Sequence, residues 1–201
     1  MEWTRPRESF PFKEKLELIK ELDFSEVFNF WKQAETKSEV AWRQWQKAAK
    51  LGTVSDWEEW RQKYIDQLGL ENLDWKLFRL ENPFENISNF WGGPFKTWRK
   101  LFYKDKPTRT FGELIGKNLL ANNHPETFSV VNQITANFPY ELPIIAIHDQ
   151  ERIVIVEGMR RCCAAALLRQ RGVTPEKSLP IALAQINKEE MKAIFNYQDQ
   201  L

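Results

Sequence analysis

Residues 152–165, RIVIVEGMRRCCAA, constrain the fold of this chain more than any other stretch. Residues 152–157 hold four consecutive apolar, β-branched residues between Arg152 and Glu157, which predicts a strand. Gly158 follows, then Arg160 and Arg161, then a run of small residues that predicts a helix over 160–170, with Gly172 as its stop signal. A strand that turns through glycine into a helix leaves the first N–H groups of the helix without intrahelical partners. Those donors and the helix dipole favour an anion. The forked guanidinium donors of Arg160 and Arg161 match a phosphate or a carboxylate. The turn of Glu157, Gly158, Met159, Arg160 and Arg161 is therefore the candidate site, and a phosphate its expected ligand.

The surrounding pattern places this unit in a sheet. Residues 111–122 predict a helix, and a second helix begins at Pro125 and runs to about residue 137. Residues 142–147, LPIIAI, predict a strand, and the polar residues 148–151 a turn. After the 160–170 helix, VTPEKS reads as a loop, 179–186 as a strand, and 188–197 as a final helix started by Asn187 and Glu190. The strands are apolar on both faces, as in a sheet covered on both sides.

The first half has another character. Eight of the nine tryptophans lie between residues 31 and 98, and none follows Trp98. Helices are expected over 13–22, 25–49 and about 56–67, the last opened by the capping pair Ser55 and Glu58. Trp42 and Trp45, and Trp57 and Trp60, share a Trp-x-x-Trp spacing that puts each pair on one side of a helix. Two antiparallel helices with a shared aromatic core account for this, and so does an aromatic surface for a protein partner or for bases. Residues 83–99 are expected to be irregular, with a turn at Gly92, Gly93 and Pro94. Trp91, Phe95 and Trp98 there either pack or line a pocket.

Composition narrows the class. Hydrophobic residues make up 42% and charged residues 28%, a soluble globular balance. No apolar run reaches the ~18 residues of a membrane span, and the first twelve residues lack the apolar core of a signal peptide. A cytoplasmic protein without a membrane partner is expected. The net charge of +1 does not by itself point to nucleic acid. Cys162 and Cys163 are adjacent, which disfavours a disulfide between them. His124 and His148 are isolated, so no protein-held metal is expected.

The order and residues of the second half resemble the ParB/sulfiredoxin-like superfamily over about residues 108–187. The resemblance rests on the P-I-x-x-I-like strand at 142–147, the strand ending before Gly158, the G-x-x-R turn of Gly158 and Arg161, the alanine-rich helix, and the strand opening Leu179, Pro180, Ile181. Members of that superfamily bind nucleotides, with the G-x-x-R turn gripping the phosphates. The resemblance implies that Gly158 permits close approach and that Arg161 is the matching arginine. Sulfiredoxins carry their reactive cysteine directly after the glycine, where this chain has Met159. ParB proteins carry Gly-Glu-Arg-Arg and bind CTP, and here the residues are Gly158, Met159, Arg160 and Arg161. Free-serine kinases of the same superfamily have an acidic residue before the glycine, the place of Glu157.

The expectation is an α+β protein. A Trp-rich helical region over 1–107 precedes a ParB/sulfiredoxin-like domain with a small mixed sheet over 108–201. The resemblance implies an ATP- or CTP-dependent phosphotransferase or hydrolase, with Mg²⁺ accompanying the nucleotide. Glu157 is the catalytic candidate, and Gly158, Met159, Arg160 and Arg161 hold the phosphates. The alternative is a non-catalytic nucleic-acid-binding or regulatory module, with Arg160, Arg161, Arg169 and Arg171 on a basic helix face and the Trp-rich helices as partner surface.

Overall fold

The computed structural model describes residues 15–36, 46, 50, 57–93, 98, 101–102, 110–149 and 151–197. Strand β1 (Leu16–Leu22) leads into helix α1 (Phe24–Thr36), and helix α2 (Trp57–Leu68) into strand β2 (Trp75–Leu80). Short helices α3 (Pro83–Ser88), α4 (Phe111–Gly116) and α5 (Leu119–Asn123) precede the longer α6 (Pro125–Ala136). Then come strands β3 (Ile144–His148) and β4 (Ile153–Glu157), helix α7 (Met159–Gln170), strand β5 (Leu179–Gln185) and helix α8 (Lys188–Tyr197). The fold is mixed α and β, with eight α-helices among the described residues around one five-stranded sheet.

The sheet order is β1-β2-β5-β3-β4. Only β3 and β5 are parallel; the other pairs are antiparallel. Successive residues of each inner strand face opposite sides, so both faces are buried. Ile144, Ala146, Ile153, Ile155, Ile181 and Leu183 face a core shared with α3, α4, α6 and α7. Ile145, Ile147, Val154, Val156, Ala182 and Ala184 face a second core formed with Val27, Trp31, Trp57 and Ile65 of α1 and α2.

Several expectations are corrected. Residues 16–22 form a strand, not part of a helix over 13–22. Leu16, Ile19 and Leu22 fit a helical spacing, but Leu16 and Leu18 also alternate as in a strand, and pairing with β2 decides between the two. Strand β2, unforeseen in the sequence, joins β1 to β5, so the sheet runs through the boundary expected at residue 107. The helix expected over 111–122 breaks at Asn118, whose φ is 54°. Residues 83–88 form α3 rather than irregular chain. Of the helix expected over 25–49, α1 supplies the part to Thr36; Trp42 and Trp45, like Phe95, lie outside the described residues.

The outer edge of β4 is partly covered. The Trp91 N–H donates to the Ile153 carbonyl at 2.8 Å, and the Ile155 N–H donates to the Trp91 carbonyl at 3.1 Å. Gly93 follows because a Cβ there would lie 2.1 Å from the Ile155 carbonyl oxygen. Gly93 thus permits a close backbone approach, Gly92 leaves room for the Phe102 ring, and Trp91 and Trp98 pack against the cores.

Candidate functional site

The expected strand-turn-helix is present. Gly158 is the N-cap of α7 with φ 101° and ψ 18°, a left-handed conformation that a Cβ would strain. A Cβ there would also come within 3.1 Å of Arg161 Nη2 and 3.3 Å of Ile144 Cγ1. Among the described residues no side chain caps the N-terminus of α7. The first intrahelical bond runs from the Cys162 N–H to the Gly158 carbonyl, 2.8 Å. The N–H groups of Met159, Arg160 and Arg161 open the helix before it.

The two arginines have different surroundings. Arg161 is 6% exposed. Its Nη1 donates to the Leu142 carbonyl at 2.5 Å, and its Nη2 donates to the Pro143 carbonyl at 2.9 Å and to Glu157 Oε2 at 2.5 Å. It therefore ties the start of α7 to the segment entering β3. Arg160, one residue earlier on the helix, is half-buried, and its Nε is a buried donor without a hydrogen-bond partner among the described residues. Burial lowers the proton affinity of Arg160, an effect opposed by Cys163, Glu35 and Glu157. Met159 is buried, and its Sδ accepts the Gly93 N–H at 3.4 Å, so only its backbone faces the turn.

Glu157 is turned by a β-bulge. The β3–β4 register sets Glu157 opposite Ile145 but Ile155 opposite Ala146, leaving Val156 as the extra residue. Ile145 belongs to the core under α1 and α2, so Glu157 is re-aimed toward those helices. Burial raises its pKa and outweighs Arg161; the Glu35 carboxylate also raises it, and Arg61 lowers it.

Glu35 and Arg61 are the part of this neighbourhood that sequence reasoning missed. The Glu35 carboxylate is buried and accepts the Trp31 indole N–H at 2.9 Å, the Trp57 indole N–H at 2.7 Å and the Arg61 Nε–H at 2.9 Å; Arg61 Nη2 donates to it as well. The Arg61 guanidinium lies 3.8 Å from the Trp60 ring centroid. The signal was present: Val27, Trp31 and Glu35 repeat every four residues, so a lone carboxylate falls on the apolar stripe of α1. The last turn of α1 and the second turn of α2 thus bring a second Glu–Arg pair into electrostatic range of Glu157 and Arg160.

The expected basic face is not continuous. Arg161 is internal, Arg169 pairs with Glu85 (its Nη2 donates to Oε1 at 2.8 Å), and Arg171 bonds Asn132 at 2.6 Å and Thr135 at 3.2 Å. Cys162 and Cys163 are buried, and burial pushes both thiols up, which removes the thiolate that nucleophilic chemistry requires. Among the described residues no group of His, Cys, Asp or Glu has the makings of a metal site. Glu157, already bridged to a guanidinium, is a poor donor for a protein-held cation. The arrangement is suited to an anion: a helix N-terminus without a side-chain cap among the described residues, beside a partly buried arginine. Among the described residues no helix is long and apolar enough to cross a membrane. Comparison with protein-family models, curated proteins and solved structures gives no match for this chain.

Proposed function

We propose that the protein binds a nucleotide through the turn of residues 157–161, with the phosphates over the N-terminus of α7. The observation that carries this reading is the uncapped helix start at left-handed Gly158 beside the unpartnered Nε of Arg160. Gly158 lets the backbone approach the ligand, the N–H groups of Met159 and Arg160 donate to it, and Arg160 supplies the mobile charge. Arg161 acts indirectly, holding the turn in shape from behind. Glu157, with its raised pKa, is the candidate acid or base for phosphoryl transfer or hydrolysis of ATP or CTP. Membership of the ParB/sulfiredoxin-like superfamily belongs to the same proposal and rests on the motif residues at 142–147 and 157–161.

Calorimetric titration with ATP, CTP, GTP and ADP, each with and without Mg²⁺, tests the reading. Saturable binding that Arg160→Ala weakens at least ~10-fold, about 1.4 kcal/mol, is expected. Absence of binding to all four, or binding indifferent to Arg160→Ala, overturns it. Turnover that survives Glu157→Gln would remove Glu157 from any reaction.

A further inference from the structure

Strand β1 is an edge strand with an unusual surface. Its residues from Glu17 to Glu21 are all exposed. Leu18 is 51% and Ile19 46% exposed, two of the three large hydrophobic residues left in solvent among the described residues. Edge strands expose unpaired N–H and C=O groups, and apolar residues on such an edge favour pairing with another strand.

The charges of β1 select the occupant. A β-bulge between Leu18 and Lys20 shifts the register against β2, so Glu17 lies opposite Arg79 and Lys20 opposite Leu77. Arg79 and Leu77 are on one face of β2, and so Glu17 and Lys20 share a face although three residues separate them. Leu16 and Glu21, opposite Leu80 and Lys76, share the other face. Without the bulge, residues three apart would point to opposite faces. With it, an antiparallel copy of the same strand fits in one register: Glu17 meets the partner's Lys20, and Leu18 meets the partner's Ile19 at the two-fold axis. Within the chain, Glu17 accepts from Arg79 at 2.7 Å and Lys20 pairs with Glu26 at 2.5 Å. Across the axis the charges would then alternate as Arg79, Glu17, the partner's Lys20 and the partner's Glu26, twice over.

We propose that β1 pairs antiparallel with β1 of a second copy of this chain, joining two five-stranded sheets into one ten-stranded sheet about a two-fold axis. Such an isologous interface uses one patch on both copies. Opposite charges facing across strands fix the register, and like charges there oppose it. The inference does not depend on the nucleotide site, which lies near the opposite edge strand, at the end of β4.

Sedimentation velocity and light scattering over a concentration series test it. The wild-type chain is expected to show a reversible monomer–dimer equilibrium. Ile19→Lys should raise the dimer dissociation constant at least ~10-fold, with an unchanged far-UV spectrum and, at concentrations where both chains are monomeric, unchanged melting, because the side chain is exposed in the monomer. Glu17→Lys should weaken the dimer similarly, because two ammonium groups then face each other across the axis. A monomer at all concentrations up to ~1 mM, the weak limit of specific association, overturns the proposal. A dimer unaffected by Ile19→Lys or by Glu17→Lys overturns it as well.

Discussion

Arg160 and Arg161 are neighbours in sequence, yet one step around a helix separates a buried donor without a partner among the described residues from a structural brace. Arg161 satisfies two carbonyls and Glu157 in a buried setting. Truncating it would leave a buried carboxylate and two carbonyls without their donor. Arg161→Ala is expected to lower the unfolding free energy by about 3–5 kcal/mol, read as a fall in the urea midpoint. Arg160→Ala removes a buried donor that has no partner, and should change stability by less than about 1 kcal/mol. Equal losses in the two variants would refute this division of roles. The motif was legible in the sequence: a glycine between a strand and a helix demands a left-handed turn, and Gly158 has one. Which arginine is the brace was not legible, because it depends on where the carbonyls of Leu142 and Pro143 lie, and those come from a different segment.

At the scale of elements, α7 and the β3–β4 hairpin carry the most information. The run of Cys162, Cys163, Ala164, Ala165 and Ala166 is buried between the sheet and α3, α4 and α6. Small side chains let this helix lie close to the strands, so added volume has nowhere to go. Ala165→Leu should cost about 1–3 kcal/mol, measured by urea unfolding; a neutral result would mean that the contact is looser than the structure has it. The hairpin has its own signature. In its turn, burial opposes ionisation of Asp149, but the N–H groups of Glu151 and Arg152 and the Arg152 guanidinium hold its carboxyl below the ordinary value. His148, at the end of β3, is held below its ordinary value near 6.5 by burial, with Asp149 offsetting part of the effect. The unfolded chain therefore takes up the His148 proton first as pH falls. Stability from this group is full above pH 6.5 and declines as pH drops from there toward the depressed folded value, by at most ~1.4 kcal/mol per unit. His148→Gln should flatten that slope in unfolding free energies measured between pH 7 and 5. Strands β3, β4 and β5 were readable because both of their faces are apolar. Strand β1 was not, since an edge strand exposed on both faces has no burial pattern to betray it.

The whole molecule joins what the compositional shift at Trp98 seemed to divide. Strand β2 pairs with β5 over six residue pairs, from Trp75 with Ala184 to Leu80 with Leu179. Helices α1 and α2 bury the face of the sheet opposite α7. Tryptophan marks the first half because large aromatic side chains cover an apolar sheet face from two helices, and Trp31 and Trp57 also hand their indole N–H groups to Glu35. That arrangement makes the two halves interdependent: without the first, the second would expose both the open edge of β5 and the second core. All nine tryptophans precede residue 99, so the indole fluorophores all belong to the first half, whereas far-UV ellipticity reports helices from both. If the sheet unites them, the two signals should follow a single cooperative unfolding curve, and residues 108–201 expressed alone should lack a cooperative transition. Separated midpoints, with the fragment melting as sharply as the full chain, would instead restore the boundary at residue 107 and reduce the β2–β5 pairing to a contact between independent domains.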